Sequence, residues 1–325
     1  MSKQTVLLIG ATGETGASIL NCLLELGTFE ITALVRPASA EKPNVKALTA
    51  RGVKILVADI GSPVEDLVPA ITGTDVLISA IGGVAQLAQM NLVTAAKKAG
   101  VKRFVPCDFA SIAPPGGVMV LRDEKEEVHM HIRKLFLGYT FIDVGYWYQL
   151  SFPRLPSGKT DSAMFPGMEV PLHGDGKVPN LVTDIRDIGK FVARIVNDER
   201  TLNKYVYGWG EVFTENQIYD VMEEVSGEKL DRVYIPNDET EAKAKQLAEL
   251  FAKNPSNIQI KFGVMPAQYS YSKYVRGDNT PEYAKYLGYL DARELYPDLK
   301  PITFKEFVVD LLDGKVPRPY AKMSM

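Results

Sequence analysis

Histidine and cysteine are scarce in this chain of 325 residues, with three and two respectively. Cys22 and Cys107 form neither a CxxC pair nor any metal-ligand spacing. This excludes a disulfide framework and a thiolate metal site, and reduced, intracellular surroundings are expected. His129 and His131 are two apart, so on a helix they point to different faces. His173 stands alone in a loop, and no metal site is expected. Charge of one sign is missing too. The 37 Lys+Arg against 40 Asp+Glu leave a formal net charge of -3, so neither nucleic acid nor an anionic membrane is an expected partner. No apolar run approaches the roughly 20 residues of a membrane span. Met1-Ser2-Lys3-Gln4 runs straight into a strand-like segment with no cleavage-site pattern, so a cytoplasmic location is expected. Internal repeats and low-complexity tracts are lacking as well.

What is present is an ordinary globular composition, 46% hydrophobic and 24% charged, in a regular order. Thr5–Ile9 is a continuous apolar run, the pattern of a strand covered on both faces. Further strands are expected at 31–35, 53–58, 75–81, 103–106 and 140–146, with helices at 17–26, 45–49, 64–71, 86–99 and 124–136. Short connections between alternating strands and helices predict an α/β fold, a Rossmann-type doubly wound parallel sheet, over residues 1–150. Residues 151–180 are rich in Pro, Gly and Ser, and helical spacing resumes at 185–197, 215–225, 239–252, 281–288 and 303–312. Residues 151–325 therefore read as a smaller, mainly helical substrate domain set across the carboxyl edge of the sheet, with freedom to return elements to it.

Gly10-Ala11-Thr12-Gly13-Glu14-Thr15-Gly16 joins the first strand to the first helix. In that context the first glycine permits a tight turn. The second lets the backbone approach a pyrophosphate, and the third lets helix and strand pack closely. The helix N-terminus then offers free N–H groups to phosphate. A dinucleotide site of this kind is completed by the carboxyl ends of the neighbouring strands, at Ala80, Ile81, Gly82 and Gln86 and at Pro106, Cys107 and Asp108. NAD-binding sites place an acid about 20 residues on, at the end of the second strand, and this chain has Arg36 there. A guanidinium matches a 2′-phosphate, which favours NADPH over NADH, with Lys42 or Lys46 as a second positive charge. The competing reading of Arg36 is a solvated surface arginine.

Catalytic signals are sparser. Tyr269 and Lys273 have the Tyr-xxx-Lys spacing of short-chain dehydrogenases but lie far beyond the strand–helix alternation, and read as coincidence. In the expected place, the helix after the fifth strand, Lys125 stands with Leu121 four residues before it instead of tyrosine. On spacing alone Lys125 reads as a surface lysine.

The chain resembles the isoflavone reductase-like and NmrA-like atypical short-chain dehydrogenases over nearly its whole length. The residues that carry the resemblance are Gly10–Gly16, Gln86-Leu87-Ala88-Gln89, Val101-Lys102-Arg103-Phe104-Val105-Pro106, Asp184–Gly189 and Arg200–Lys204. Arg276-Gly277-Asp278, Leu295-Tyr296-Pro297-Asp298, Thr303 and Glu306-Phe307 extend it. The resemblance implies a lysine catalyst in a Lys-x-x-(Ile/Val) setting, matched by Lys125-Glu126-Glu127-Val128, and so reverses the reading of Lys125. It also implies an oxidoreductase that uses NADPH to reduce an aromatic phenylpropanoid-like or isoflavonoid-like molecule. Two departures leave the substrate open: Cys107-Asp108-Phe109-Ala110 replaces the plant Ser-Glu-Phe-Gly, and Gly145-Tyr146-Trp147-Tyr148 replaces a small polar residue and Asn. Tyr146, Trp147, Tyr148, Phe165 and Met168 are the expected substrate wall, with core packing as the alternative for the aromatics. Competing functions are a non-catalytic NADP-sensing regulatory protein of the NmrA-like kind and an epimerase or dehydratase that keeps its nicotinamide bound. A homodimer is left open.

Overall fold

In the computed structural model, which describes residues 3–321, strands and helices alternate as the apolar runs predict. Strands β1 (Gln4–Ile9), β2 (Phe29–Val35), β3 (Lys54–Val57), β4 (Val76–Ser79) and β5 (Arg103–Val105) form a parallel sheet in the order β3-β2-β1-β4-β5. Helices α1 (Glu14–Leu26), α2 (Pro43–Thr49), α3 (Val64–Ile71), α4 (Met90–Lys98) and α5 (Val120–Lys134) connect or flank them. Residues of β1 alternate between two apolar layers. Val6 and Leu8 pack with Ile19, Leu23, Ile188 and Val192, whereas Leu7 and Ile9 pack with Leu77, Leu92, Phe104 and Val128. Burial on both faces is the physical reason for the unbroken apolar run. Strand order reverses between β1 and β4, so a crevice opens at their carboxyl ends, beside Gly10 and Ala80.

Beyond β5 the sheet continues through one parallel bridge, Phe104–Tyr139, to β6 (Thr140–Asp143). The strand expected to run from 140 to 146 stops at Asp143. Gly145 turns the chain with φ 71°, where a Cβ would come within 2.7 Å of the Leu181 carbonyl oxygen. That turn sends β7 (Tyr146–Trp147) into a second small sheet with β9 (Asn180–Thr183) and β11 (Glu211–Phe213), while β8 (Leu172–His173) pairs with β12 (Tyr234–Ile235). β10 (Lys204–Tyr207) and β13 (Leu290–Asp291) extend the edge beside β6. The helices of the second half are α6 (Ile185–Val196), α7 (Glu215–Ser226), α8 (Asn237–Lys253), α9 (Ile258–Ser270), α10 (Pro281–Tyr286), α11 (Ala292–Leu295) and α12 (Phe304–Leu312). α9 has no counterpart in the sequence reading. It runs on through a π-helical turn, Tyr271–Arg276, to Gly277.

Helix α6 packs directly on α1. A Cβ at Gly189 would lie 2.1 Å from the Ser18 carbonyl oxygen, and the Gly189 N–H donates to the Ser18 hydroxyl at 3.0 Å. This contact fixes the helix whose N-terminus faces the crevice. Among the described residues no helix is long and apolar enough to cross a membrane.

Candidate active site

The glycine turn is the first wall of the crevice. Gly10 adopts φ 80°, a conformation that favours glycine, and a Cβ there would meet the Ala80 carbonyl oxygen at 2.2 Å. A Cβ on Gly16 would lie 2.0 Å from the Gly10 carbonyl oxygen. Gly13 caps α1 without a side-chain acceptor, which leaves its first amides for a ligand. Thr12 and Thr15 flank the turn, both half-buried. Arg36 is exposed at the end of β2 and makes no side-chain ion pair among the described residues. Of the two lysines expected to assist it, Lys46 is paired with Glu41 at 2.8 Å, whereas Lys42 is exposed and, like Arg36, makes no ion pair among the described residues. The second wall is the segment after β4. Ala80 and Ile81 are half-buried and Gly82 is exposed, while Gln86 is buried and accepts from the Gln89 amide. α4 begins at Met90 rather than Gln86, because a kink at Ala85 keeps Gly83–Gln89 in a tighter turn.

Pro106, Cys107 and Asp108 close the third side. Gln89 accepts from the Cys107 N–H at 3.1 Å, and the thiol donates to the Ile81 carbonyl at 3.0 Å. Burial pushes that thiol up to about 12, with the nearby Lys125 opposing it, so Cys107 is a packed filler and no nucleophile.

Lys125 comes in from α5. It is 3% exposed; its Nζ donates to the Asp108 carbonyl oxygen and lies 3.6 Å from Asp143 Oδ1. Asp143 Oδ2 accepts from the Tyr289 hydroxyl at 2.7 Å and faces Arg122 at 3.4 Å, whereas Oδ1 has no hydrogen-bond donor. Burial raises the Asp143 carboxyl, against the pull of Lys125 and Arg122. Three and seven residues apart on one face of α5, Arg122, Lys125 and His129 all turn inward, as helical spacing allows.

His129 was missed by the sequence reading, which compared it with His131 and not with Lys125 four residues earlier. Its Nε2 bonds the Asp108 carboxylate at 2.8 Å, its Nδ1 faces Glu126 at 3.4 Å and the Tyr205 hydroxyl at 3.3 Å, and its ring stacks on Phe141. His131 points elsewhere, to the Thr94 hydroxyl at 2.8 Å. Burial works to lower the His129 value, but the Asp108 and Glu126 carboxylates outweigh it and raise it. Glu126 pays the same burial penalty, yet His129 and Arg122 hold it down at about 2, so it stays ionised across the neutral range.

A raised histidine contributes stability that is complete below its ordinary value of 6.5 and is lost as pH rises through the elevated one. The stability advantage of the wild type over His129→Gln is therefore expected to shrink as pH rises from 6 to 9. Urea midpoints measured across that range check this, and parallel curves for the two proteins would show that the imidazole is not charged in the fold.

The expected substrate wall divides. Tyr146 and Trp147 are half-buried at the cleft, and Trp147 and Phe165 both approach the Tyr320 ring, at 6.0 and 6.3 Å. Met168 is half-buried in the turn after Phe165. Tyr148 belongs elsewhere: fully buried, it packs on Phe304 and Phe307 and donates to Glu211 at 3.2 Å. Tyr148 lies past the end of β7, at the start of a tight turn over Tyr148–Leu150, and that turn carries its ring into the core. Phe152 lies in the same core.

Two further contributors come from distant sequence. Tyr269 on α9 packs against Tyr146 at 5.5 Å, and the Lys273 amine sits 3.0 Å from the centre of the same ring. The pair read as coincidence from its chain position; α9 and the turn after it bring both residues against Tyr146, and the four-residue spacing was the available signal. Tyr320 reaches back to donate its N–H to Glu14, at the first turn of α1, at 3.0 Å.

Several proteins are similar over their full length. Asnovolin J 5′,6′-dehydrogenase of Aspergillus novofumigatus is 44% identical, with 95% of each chain covered. An isoflavone reductase-like protein of Olea europaea is 30% identical over 94% of this chain and 98% of its own. Among solved structures, the binary complex of leucoanthocyanidin reductase with NADPH from Vitis vinifera superposes with a TM-score of 0.78 at 24% identity, covering 95% and 99% of the two chains. A structure described as AtPrR2 with NADP+ and (+)pinoresinol gives 0.77 at 25% identity, covering 95% and 98%. The profile of the NmrA-like family matches residues 2–308, and with a crevice built on the same turn, strand reversal and helix, the chain belongs to that family.

Proposed function

We propose that the protein is an NADPH-dependent reductase of an aromatic or conjugated small molecule, with Lys125 as its acid/base. The observation that carries this is a buried lysine amine at the carboxyl edge of the sheet, beside the glycine-lined crevice and the half-buried aromatic cleft. The relatives named above are called a dehydrogenase and reductases, and one solved neighbour is described with NADPH. All those names fit one hydride chemistry.

Gly10, Thr12, Gly13, Glu14, Thr15 and Gly16 would hold the pyrophosphate, through backbone amides more than side chains. Arg36 would take the 2′-phosphate. Ala80, Ile81, Gly82, Pro106, Cys107 and Asp108 would line the nicotinamide end. The turn fits such a group: Gly13 caps α1 with no side-chain acceptor, so the first amides of α1 stay free for phosphate, and Gly10 and Gly16 let strand, turn and helix close up behind them. When bound, the nicotinamide supplies a hydride to an electrophilic carbon of the substrate.

The protein's part is then to place a proton and exclude water. An ammonium has three N–H directions. In Lys125 one is used by the Asp108 carbonyl and one faces Asp143, so the third is left for a substrate oxygen that gains charge as the hydride arrives. Tyr146, Trp147 and Phe165 would flank the planar substrate.

Cofactor choice gives the test. Arg36→Glu is expected to weaken NADPH binding about 10- to 100-fold, the size of a lost charge-assisted contact, and to leave NADH within a few-fold. Fluorescence titration of both cofactors checks it. Equal losses for both would place Arg36 outside the phosphate site.

A further inference from the structure

Lys273 is a buried amine without a counter-charge. It is 2% exposed and takes part in no ion pair among the described residues. Its Nζ has one hydrogen-bond partner there, the Tyr274 hydroxyl at 3.2 Å, although an ammonium offers three donors. The amine lies 3.0 Å from the centre of the Tyr146 ring and 4.4 Å from that of Tyr274.

Tyr269, one turn earlier, leans on Tyr146. From β8, His173 stacks on Tyr274 at 5.1 Å. Glu215 on α7, the acid whose charge reaches Lys273, is spent on His173: its two carboxylate oxygens accept from the His173 backbone N–H and pair with Nδ1, each at 2.8 Å. Burial holds the Lys273 amine well below the usual lysine range, with Glu215 only partly opposing it. Lys273 also sits in a π-helical turn, a rare geometry that recurs at functional sites.

We propose that Lys273 anchors a carboxylate of the substrate, beside Tyr146 and Tyr269, so that the molecule reduced is an aromatic or conjugated acid. This rests on the reading of the Tyr146 cleft as the substrate site and narrows it. The acid arrives as its anion, and Lys273 takes up one proton from the buffer acid, leaving the buffer base, to form an ammonium–carboxylate pair. No other bond changes.

The test is calorimetric titration of the NADP+-loaded protein with cinnamate and with methyl cinnamate at pH 8, in buffers of different ionisation enthalpy. Cinnamate is expected to bind at least about tenfold tighter than its ester and to take up close to one proton per site. Lys273→Met is expected to abolish both the preference and the uptake. Lys273→Arg, charged throughout, is expected to keep the preference and lose the uptake, and it decides the matter if the methionine variant does not fold. Equal affinities, no cinnamate binding, absence of proton uptake in the wild type, or a preference that survives Lys273→Met would each overturn the proposal. Lys125→Met separates the two readings: it is expected to retain the cinnamate preference whatever it does to NADPH turnover.

Discussion

Lys125→Met is expected to lower kcat for NADPH oxidation by about 10²- to 10⁴-fold, the usual span for loss of a positioned acid or base. Methionine keeps the length and the apolar stem, so the packing of α5 beside Val128 and Phe104 is preserved. What is removed is the donor that bonds the Asp108 carbonyl and faces Asp143. Asp143 then keeps Arg122 and Tyr289, so its charge is not left bare in the interior. NADPH affinity is expected to stay within a few-fold, because in the proposed site the phosphates would be held by the glycine turn and Arg36. A split of this kind, kcat collapsing while cofactor binding persists, marks an interaction made in the transition state. The screen runs NADPH with a panel of enones, quinones and aryl ethers. An unchanged rate in Lys125→Met would remove the lysine from the chemistry, and no oxidation of NADPH by the wild type with any of them would count against the reductase itself.

Gly16→Val acts on binding. A Cβ at that position would sit 2.0 Å from the Gly10 carbonyl oxygen, which is backbone and cannot swing aside. Either α1 shifts away from β1 or the turn opens, and both destroy the approach of the α1 amides to a phosphate. The expected result is NADPH affinity lower by more than about 100-fold, with a stability loss of about 3 kcal/mol, the upper range for overpacking. Gly13→Ala supplies the contrast. Its Cβ would meet the Gly10 carbonyl oxygen at 3.3 Å, so a shift of a few tenths of an ångström relieves it, and a milder loss is expected. Titration of NADPH and urea unfolding of the two variants check the ordering. Equal effects would mean that the crowding at residue 16 is absorbed elsewhere.

The sheet was legible because burial on both faces of β1 and β4 leaves continuous apolar runs, and the turn because glycines are forced where Cβ atoms cannot fit. Three features were hidden for physical reasons. Helix α5 carries Arg122, Lys125, Glu126 and His129 in a stretch dense with charge, which reads as a solvated face; in the fold those four neutralise one another, with Asp108 and Asp143, out of water. Helix α9 exposes Ile258 and Phe262, buries Lys261 and Gln268, and contains Pro266, so its apolar residues draw no stripe. Lys261 is buried because it pairs with Glu124 and the Val84 carbonyl, a partnership 137 and 177 residues away in sequence. Tyr148 looked like its neighbours Tyr146 and Trp147, but it lies just past the two-residue strand, where a tight turn over Tyr148–Leu150 redirects the chain into the core. Local pattern cannot supply that.

The lock between Gly189 and Ser18 has a bearing on synthesis. Residues 171 positions apart share it, so a growing chain displays the whole glycine turn long before the helix that braces α1 exists. Until α6 arrives, the Ser18 hydroxyl and the flank of α1 remain wet, and the turn is braced only by β1 and β4, at Gly10 and Ala80. The capacity to grip a dinucleotide thus ripens late. Contacts of such long span are also the ones that slow folding, so added cofactor has little to seize on early intermediates and acts chiefly as a clamp on finished molecules.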